Sequence, residues 1–296
     1  MTIAIAWMRR IHDCEELVFA SDSLLQGDGR TFDAAPKILT LPRGDCAIAF
    51  AGNTLDAFPM MLQLELAITS HAPSLRRSKE IAEVRTHALA VFNGMRKQVG
   101  RDPHIKGSPP TAEDPEFLFG GYSWVKKKFE LWRIHYHTSD RMYIAEPAPW
   151  AYFSTAGKRV EIRTKSRPPR TDRIGQVAFA GDQSDLARRL LAEKLTKQHT
   201  SVPPFSKLDM QPFEVLRDIL RDPDRSHTIG GAPQLAKIYQ YMQAVPFAVY
   251  WPTKKSGRKY LQGRRCVGYE RLDRKAVDPD RPDWKHFESE DNAPLD

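Results

Sequence analysis

Residues 47–66, AIAFAGNTLDAFPMMLQLEL, change their hydrophobic period midway, and this change decides the fold. Up to Gly52 nearly every position is apolar, which is typical of a strand buried on both faces. After Gly52 the apolar residues recur every three or four positions, which predicts a helix capped by Asn53 or Thr54. The stretch therefore predicts a strand, a glycine corner and a helix.

The same kind of pattern extends in both directions along the chain. Upstream, residues 3–7 and 17–20 read as a hairpin, and residues 37–41 and 46–52 as a second strand pair. Downstream, the predicted order is a helix over about 79–99, several strands, two more helices and final strands. Strand runs separated by helix pairs indicate an α+β protein, with antiparallel sheets and helices packed outside. We expect one domain over residues 1–272 and an acidic, flexible tail over residues 273–296.

Composition excludes several functional classes. The chain has 296 residues, 41% hydrophobic and 28% charged, which is ordinary for a folded domain. Because no apolar run is long enough to span a bilayer, we expect no membrane segment. Arg9, Arg10 and Asp13 interrupt any signal-peptide core, so the predicted compartment is the cytoplasm.

The net charge of +8 raises the question of nucleic acid, which we consider improbable. No helix-turn-helix, zinc-finger or RNA-recognition pattern occurs. The basic runs, residues 157–175 and 254–275, contain proline and glycine and favour a solvated or partner-binding surface. Cys14, Cys46 and Cys266 are odd in number, widely spaced and form no C-x-x-C pair, so they indicate neither a disulfide framework nor a metal site. His135 and His137 lack a third ligand nearby in sequence.

Thr2 follows the initiator methionine directly and opens the first strand. If Met1 is removed, the Thr2 amine lies beside its own hydroxyl and can act as its base. A lysine nearby would disfavour the ammonium form of that amine, and a carboxylate would hold the lysine. Asp22 ends the second predicted strand and Lys37 begins the third. A glycine at the corner, Gly52, can offer its N–H to an oxyanion.

These stretches carry a family resemblance. The chain resembles proteasome β-subunits and the related bacterial protease HslV, members of the N-terminal-nucleophile (Ntn) hydrolases. The resemblance extends to about Pro252 and lies mainly in the first seventy residues. The matching stretches are MTIAIAW, LVFASDS, PKILTL and AIAFAGNTLDAFPMMLQLEL, with weaker matches in FLFGGY, FELWRI, VAFAGDQSDLARRLL and TIGGAPQ.

The resemblance implies a fold and a set of catalytic roles. The fold is a four-layer αββα sandwich, in which two stacked antiparallel sheets lie between helix pairs. Thr2 is the expected nucleophile, Lys37 the group that tunes its amine, Asp22 the partner of Lys37, and Gly52 the oxyanion donor. Neither a cofactor nor a metal is implied.

The resemblance also implies a substrate site for a peptide. The backbone of residues 23–26 is expected to pair with an extended peptide by strand addition. The predicted pocket would accept a small or apolar side chain. The substrate-binding positions are Ser23, Leu25, Gln26, Ala35, Leu39, Phe50, Thr54 and Phe58.

The predicted function is a proteasome-like threonine peptidase acting on peptide or protein substrates. Two alternatives remain open: an inactive proteasome-like scaffold that keeps Met1, and an acylase acting on a small amide. The resemblance further implies a ring-like homo-oligomer, with an unfolding ATPase or another protein as partner. The chain departs from the family pattern at Asp182, Ser226 and Ile229, where the family has residues that assist the amine and the hydroxyl.

Overall fold

The computed structural model describes residues 2–11, 13–27, 29–98, 114–163, 172–199, 207–224, 229–241, 243–270, 272 and 275–283. The helices in these ranges are α1 (Thr54–Ser70), α2 (Ala72–Leu75), α3 (Ile81–Arg96), α4 (Ser184–His199) and α5 (Gln211–Arg221). The strands are β1 (Ala4–Ile11), β2 (Cys14–Ser21), β3 (Leu25–Gly27), β4 (Arg30–Phe32), β5 (Ile38–Thr40), β6 (Cys46–Ala51), β7 (Glu116–Ser123), β8 (Lys128–His137), β9 (Met142–Pro147), β10 (Trp150–Ser154), β11 (Arg159–Arg163), β12 (Arg173–Ala180), β13 (Gln234–Tyr239), β14 (Gln243–Tyr250), β15 (Lys259–Leu261), β16 (Arg264–Arg265) and β17 (Ala276–Val277).

Two large sheets dominate the structure. The first has ten strands in the order β11-β10-β12-β1-β2-β13-β14-β15-β16, with β17 pairing alongside β14. The second has five strands in the order β5-β6-β7-β8-β9, and β3 with β4 forms a separate hairpin. All pairings are antiparallel except that of β14 with β17. The antiparallel pairing that the strand order predicts is therefore confirmed.

The central strands are apolar on both faces because both faces are covered. In β1, one set of alternate residues faces the second sheet and the other set faces helices. The cluster between the sheets combines many alanines with larger side chains, and its members include Ala4, Ala6, Leu17, Phe19, Ala47, Ala49, Leu118 and Leu131. Short residues on both sheets let the two backbones approach closely at this level.

Helices pack on the outer faces of both sheets. α1 and α3 contact β6, β7 and β9 of the second sheet, while α4 and α5 contact mainly β11, β12, β1 and β2 of the first. Asn53 caps α1, because its side-chain oxygen accepts the Leu55 N–H at 3.0 Å. α3 begins after a capping box formed by Glu80 and Glu83, two residues later than predicted.

The predicted fold class, an α+β four-layer αββα sandwich, is wrong. Strands make up 39% of the structure and helices 28%, with only five helices among the described residues. The reason lies in β11, β15, β16 and β17, which come from basic or proline-containing stretches that favour loops in sequence. These strands pair at the margins of the first sheet, extend it to ten strands and make the molecule mainly β.

The predicted tail begins at residue 273, yet the packed chain continues past that point. Val277 is buried in β17 beside β14, and Arg221 binds the Asp280 carboxylate at 2.6 Å. Residues 284–296, which carry most of the predicted tail, lie outside the described residues. Across the described ranges, every helix is too short or too polar to cross a bilayer.

Candidate active site

Asp22 and Lys37 form a buried ion pair between the two sheets. Asp22 follows β2 and Lys37 precedes β5, so the ends of strands from different sheets bring them together. The Lys37 ammonium lies 2.9 Å from Asp22 Oδ1, and both side chains are fully buried. The lysine and the carboxylate that the sequence analysis paired are thus in direct contact, and their catalytic roles stay predictions.

The same ammonium reaches the first residue of the described chain. Lys37 Nζ donates to Thr2 Oγ1 at 3.0 Å and to the Leu24 carbonyl oxygen at 2.6 Å. With Asp22, these contacts use the three N–H bonds of the ammonium. The lysine is thus fixed in direction, and it points a positive charge at the Thr2 hydroxyl.

Backbone N–H groups hold the Asp22 carboxylate in turn. Oδ1 accepts from Ile3 N–H at 3.1 Å, and Oδ2 accepts from Leu24 N–H at 3.2 Å and Gly230 N–H at 3.3 Å. Burial raises the pKa of Asp22, while the Lys37 charge and these N–H groups oppose the rise. Burial likewise lowers the pKa of Lys37, and the Asp22 charge opposes that shift.

The backbone nitrogen of Thr2 faces the corner between β12 and α4. Thr2 N–H donates to Asp182 Oδ1 at 2.8 Å. Gly181, with a φ of +99°, has no room for a side chain, because a Cβ there would overlap the Thr2 carbonyl oxygen. Asp182, predicted as a departure from the family pattern, therefore contacts the group that becomes the amine once Met1 is removed.

The other two departures lie elsewhere. Ile229 is buried in the apolar cluster beneath α4 and α5, where it serves packing. Ser226 lies outside the described residues.

Gly52 forms the corner between β6 and α1, as predicted. Its φ of +99° is a conformation that favours glycine. The preceding Ala51 is close to the Thr2 corner, because a Cβ on Gly181 would lie 3.0 Å from Ala51 Cβ. The role of the Gly52 N–H as oxyanion donor stays a prediction.

The predicted peptide-binding segment differs at its first residue. Ser23 N–H donates to the Gly230 carbonyl at 3.0 Å, and the Ser23 carbonyl accepts from Ala35 N–H at 3.1 Å. The Ser23 backbone is therefore occupied within the chain and unavailable for a substrate strand. Leu25 and Gln26 lie in β3, whose pairing with β4 uses one edge of the segment. Their role in binding a peptide stays a prediction.

The remaining pocket residues gather near α1. Phe50 is fully buried and its ring meets that of Phe58 edge to face, with centroids 5.0 Å apart. Leu25, Leu39 and Phe58 are half-buried against the cluster that contains Phe50. Ala35 is buried, and Thr54 is the first residue of α1.

Two site residues were missed in the sequence analysis. Gln234 in β13 is buried, and its side-chain NH2 donates to the backbone carbonyls of Asp22 and Ala35. Its side-chain oxygen accepts the backbone N–H of Lys37 at 2.9 Å. Glu116 at the start of β7 accepts the Gly181 N–H at 3.2 Å. Both residues bind partners that are far away in the sequence, so no local hydrophobic period or motif predicts their role.

The histidine pair and the cysteines play no part in this site. His135 and His137 lie at the far part of β8, and the three cysteines are free thiols. Among the described residues no group of three histidine, cysteine or acidic side chains is placed to hold a metal ion.

Comparison with protein-family models finds no match, and a search of curated proteins finds no match either.

Proposed function

We propose that this chain is a threonine hydrolase that cleaves peptide bonds, with Thr2 as the nucleophile after removal of Met1. The observation that carries the proposal is the 3.0 Å contact of Lys37 Nζ with Thr2 Oγ1, backed by Asp22 at 2.9 Å. Burying the Lys37 charge costs desolvation free energy even when a carboxylate pairs with it. Buried charges that point at a reactive group are found most often at functional sites.

The proposed reaction uses the freed amine as base. The amine takes the Thr2 hydroxyl proton while Oγ1 attacks the substrate carbonyl, and Lys37 stabilises the developing alkoxide. The Gly52 N–H is the proposed donor to the oxyanion. The proton then passes to the leaving amine, and water hydrolyses the acyl ester to regenerate Thr2.

The surroundings of the amine limit the fraction of it that is neutral near pH 7. Asp182 lies 2.8 Å from the Thr2 nitrogen, and a carboxylate there favours the ammonium form. The Lys37 charge acts in the opposite direction. The balance of these two charges sets the pH at which a neutral amine is available.

One observation favours the alternative of an inactive, proteasome-like scaffold. Thr2 is only 1% exposed in the unprocessed chain. Removal of Met1 must therefore both free the amine and open a path to the hydroxyl. A chain that keeps Met1 would retain the ion pair but have no catalytic base.

Intact mass and substrate turnover separate the candidates. We expect the purified protein to lack one methionine and to hydrolyse short peptides, and we expect Thr2→Ala to lose the activity. Retention of Met1, or full hydrolysis by Thr2→Ala, would contradict the proposal. A panel that sets peptides against small amides separates a peptidase from an acylase.

The role of the ion pair needs its own variant, because removing one partner leaves the other buried and unpaired. The double variant Asp22→Asn with Lys37→Met removes both charges together. We expect it to stay folded and to lose turnover by about 10²–10⁴-fold, the range of general acid–base catalysis. Wild-type turnover in a folded double variant would show that the pair serves only the fold.

We further propose that the enzyme is a cytoplasmic, ring-like homo-oligomer and that its partner is an ATPase or another protein. The proposed substrate has a small or apolar side chain at the cleaved bond. Light scattering of the purified chain tests the oligomer, since a monomer at working concentration contradicts a ring.

A further inference from the structure

Glu116 lies on the face of β7 that looks toward the first sheet. Side chains alternate along a strand, so Glu116 shares its face with Leu118 and Gly120. Leu118 belongs to the cluster between the sheets, and a Cβ on Gly120 would lie 2.7 Å from Leu17 Cδ2 of the first sheet. Glu116 therefore reaches across the gap between the sheets at the end of the strand.

The two carboxylate oxygens of Glu116 have different partners. Oε2 accepts the Gly181 N–H at 3.2 Å, and Oε1 binds the guanidinium of Arg133 on the neighbouring strand β8. The Arg133 contact orients the carboxylate within its own sheet. The Gly181 contact ties it to the other sheet.

One end of this link contacts a proposed catalytic residue, and the other end lies next to one in sequence. Gly181 lies directly against the Thr2 carbonyl and precedes Asp182, which accepts the Thr2 N–H. Glu116 also pairs in register with Ala51, the residue before Gly52. The side chain thus connects the corner that carries the nucleophile with the corner that carries the proposed oxyanion donor.

We propose that Glu116 is a positioning residue that fixes the spacing between Thr2 and Gly52 through its hydrogen bond to Gly181. The effect on catalysis rests on the proposed function, whereas the hydrogen bond between Glu116 and Gly181 does not depend on it. An ion pair with Arg133 that only stabilised the sheet would not need the Gly181 N–H. The two roles predict different behaviour when Arg133 alone is removed.

Kinetics of Glu116→Ala and Arg133→Met distinguish the two roles. Arg133→Met removes the ion pair but leaves the Glu116 carboxylate to accept the Gly181 N–H. A displacement of about 1 Å at a reacting group costs up to about 100-fold in rate. We therefore expect Glu116→Ala to lower kcat at least about tenfold with KM nearly unchanged, and Arg133→Met to stay within about threefold of wild type.

A matched control lies in the same sheet. Glu130 on β8 pairs with Lys126 at 2.5 Å and is distant in register from Glu116. Glu130→Ala removes a comparable ion pair and should leave kcat unchanged. If Glu116→Ala matches Glu130→Ala, or if Arg133→Met is as slow as Glu116→Ala, the positioning role is wrong.

A second readout does not depend on activity. Amide hydrogen exchange at Gly181 should quicken in Glu116→Ala and stay near wild type in Arg133→Met and Glu130→Ala, because only Glu116→Ala loses the acceptor of the Gly181 N–H. Unchanged Gly181 exchange in Glu116→Ala would overturn the link. A wild type that hydrolyses no substrate would overturn the proposed function, and Gly181 exchange would then decide the link by itself.

Discussion

Two corners of the chain share the sequence Ala-Phe-Ala-Gly, one at residues 49–52 and the other at residues 178–181. Each ends a strand, begins a helix and holds its glycine at a φ of +99°. The residue after the glycine differs. Asn53 turns to the helix and caps it, whereas Asp182 turns away and accepts the Thr2 N–H.

The phenylalanines of the two corners differ in the same way. Phe50 packs edge to face on Phe58 of α1, while Phe179 lies under the Arg188 guanidinium of α4 at 5.7 Å. One corner thus combines a capped helix with an aromatic pair. The other packs against Thr2. Equal local sequence has produced two different settings because the surroundings, rather than the corner itself, supply the partners.

The largest expected difference between the corners is in the cost of a side chain at the glycine. Gly181→Ala places a Cβ on the Thr2 carbonyl, so backbone strain and overpacking together should cost about 4 kcal/mol. Gly52→Ala places it 3.3 Å from Pro115 Cα and should cost about 2 kcal/mol, mostly strain. Urea unfolding measures both values. Equal costs would contradict the tighter packing at the terminus.

The phenylalanine partners should differ less. Phe58→Ala removes a half-buried ring from Phe50 and should cost about 2 kcal/mol, whereas Arg188→Ala removes one cation–π contact and should cost about 0.5–1 kcal/mol. Urea midpoints compared at a constant m-value test this order. If Phe58 also lines the substrate pocket, its truncation should admit larger side chains at the cleaved bond, and an unchanged preference would remove Phe58 from the pocket.

The smallest expected effect concerns the pH dependence of turnover. A carboxylate beside an amine favours the ammonium form, and Asp182 Oδ1 lies 2.8 Å from the Thr2 nitrogen. Asp182→Ser should therefore move the rising limb of the kcat/KM profile toward acid. Asn53→Ser is the matched control at the other corner, because serine also caps a helix. Superimposable profiles for the two variants would show that Asp182 does not act on the amine.

Parts of the site were predictable from sequence because their signals are local. Lys37 and Asp22 sit at predicted strand ends, and Gly52 sits where the hydrophobic period changes from strand to helix. The strands next to Asp22 and Lys37 belong to different sheets, so their contact was implied by the family resemblance and not by strand order. The long hairpin β1–β2 and the Asn53 cap follow from the same local rules.

Other parts were not predictable because their partners are far away in the chain. Asp182 is 180 positions from Thr2, and Gln234 is 197 positions from Lys37. No period or motif marks a side chain that acts across such a distance. The β3–β4 hairpin had a usable signal in the Asp-Gly dipeptide at residues 28–29, which favours tight turns. The fold class was wrong because short edge strands such as β15 and β16 are basic and lack apolar alternation.

The most direct test of Thr2 as the nucleophile is to locate the acyl group during turnover. The enzyme is mixed with an activated peptide ester, quenched in acid before the ester is consumed, and mapped by mass spectrometry. We expect a chain that begins at Thr2 and carries the acyl group on that residue, with no adduct in Thr2→Ala. An acyl group on any other residue, or hydrolysis by a chain that still begins with Met1, would contradict it.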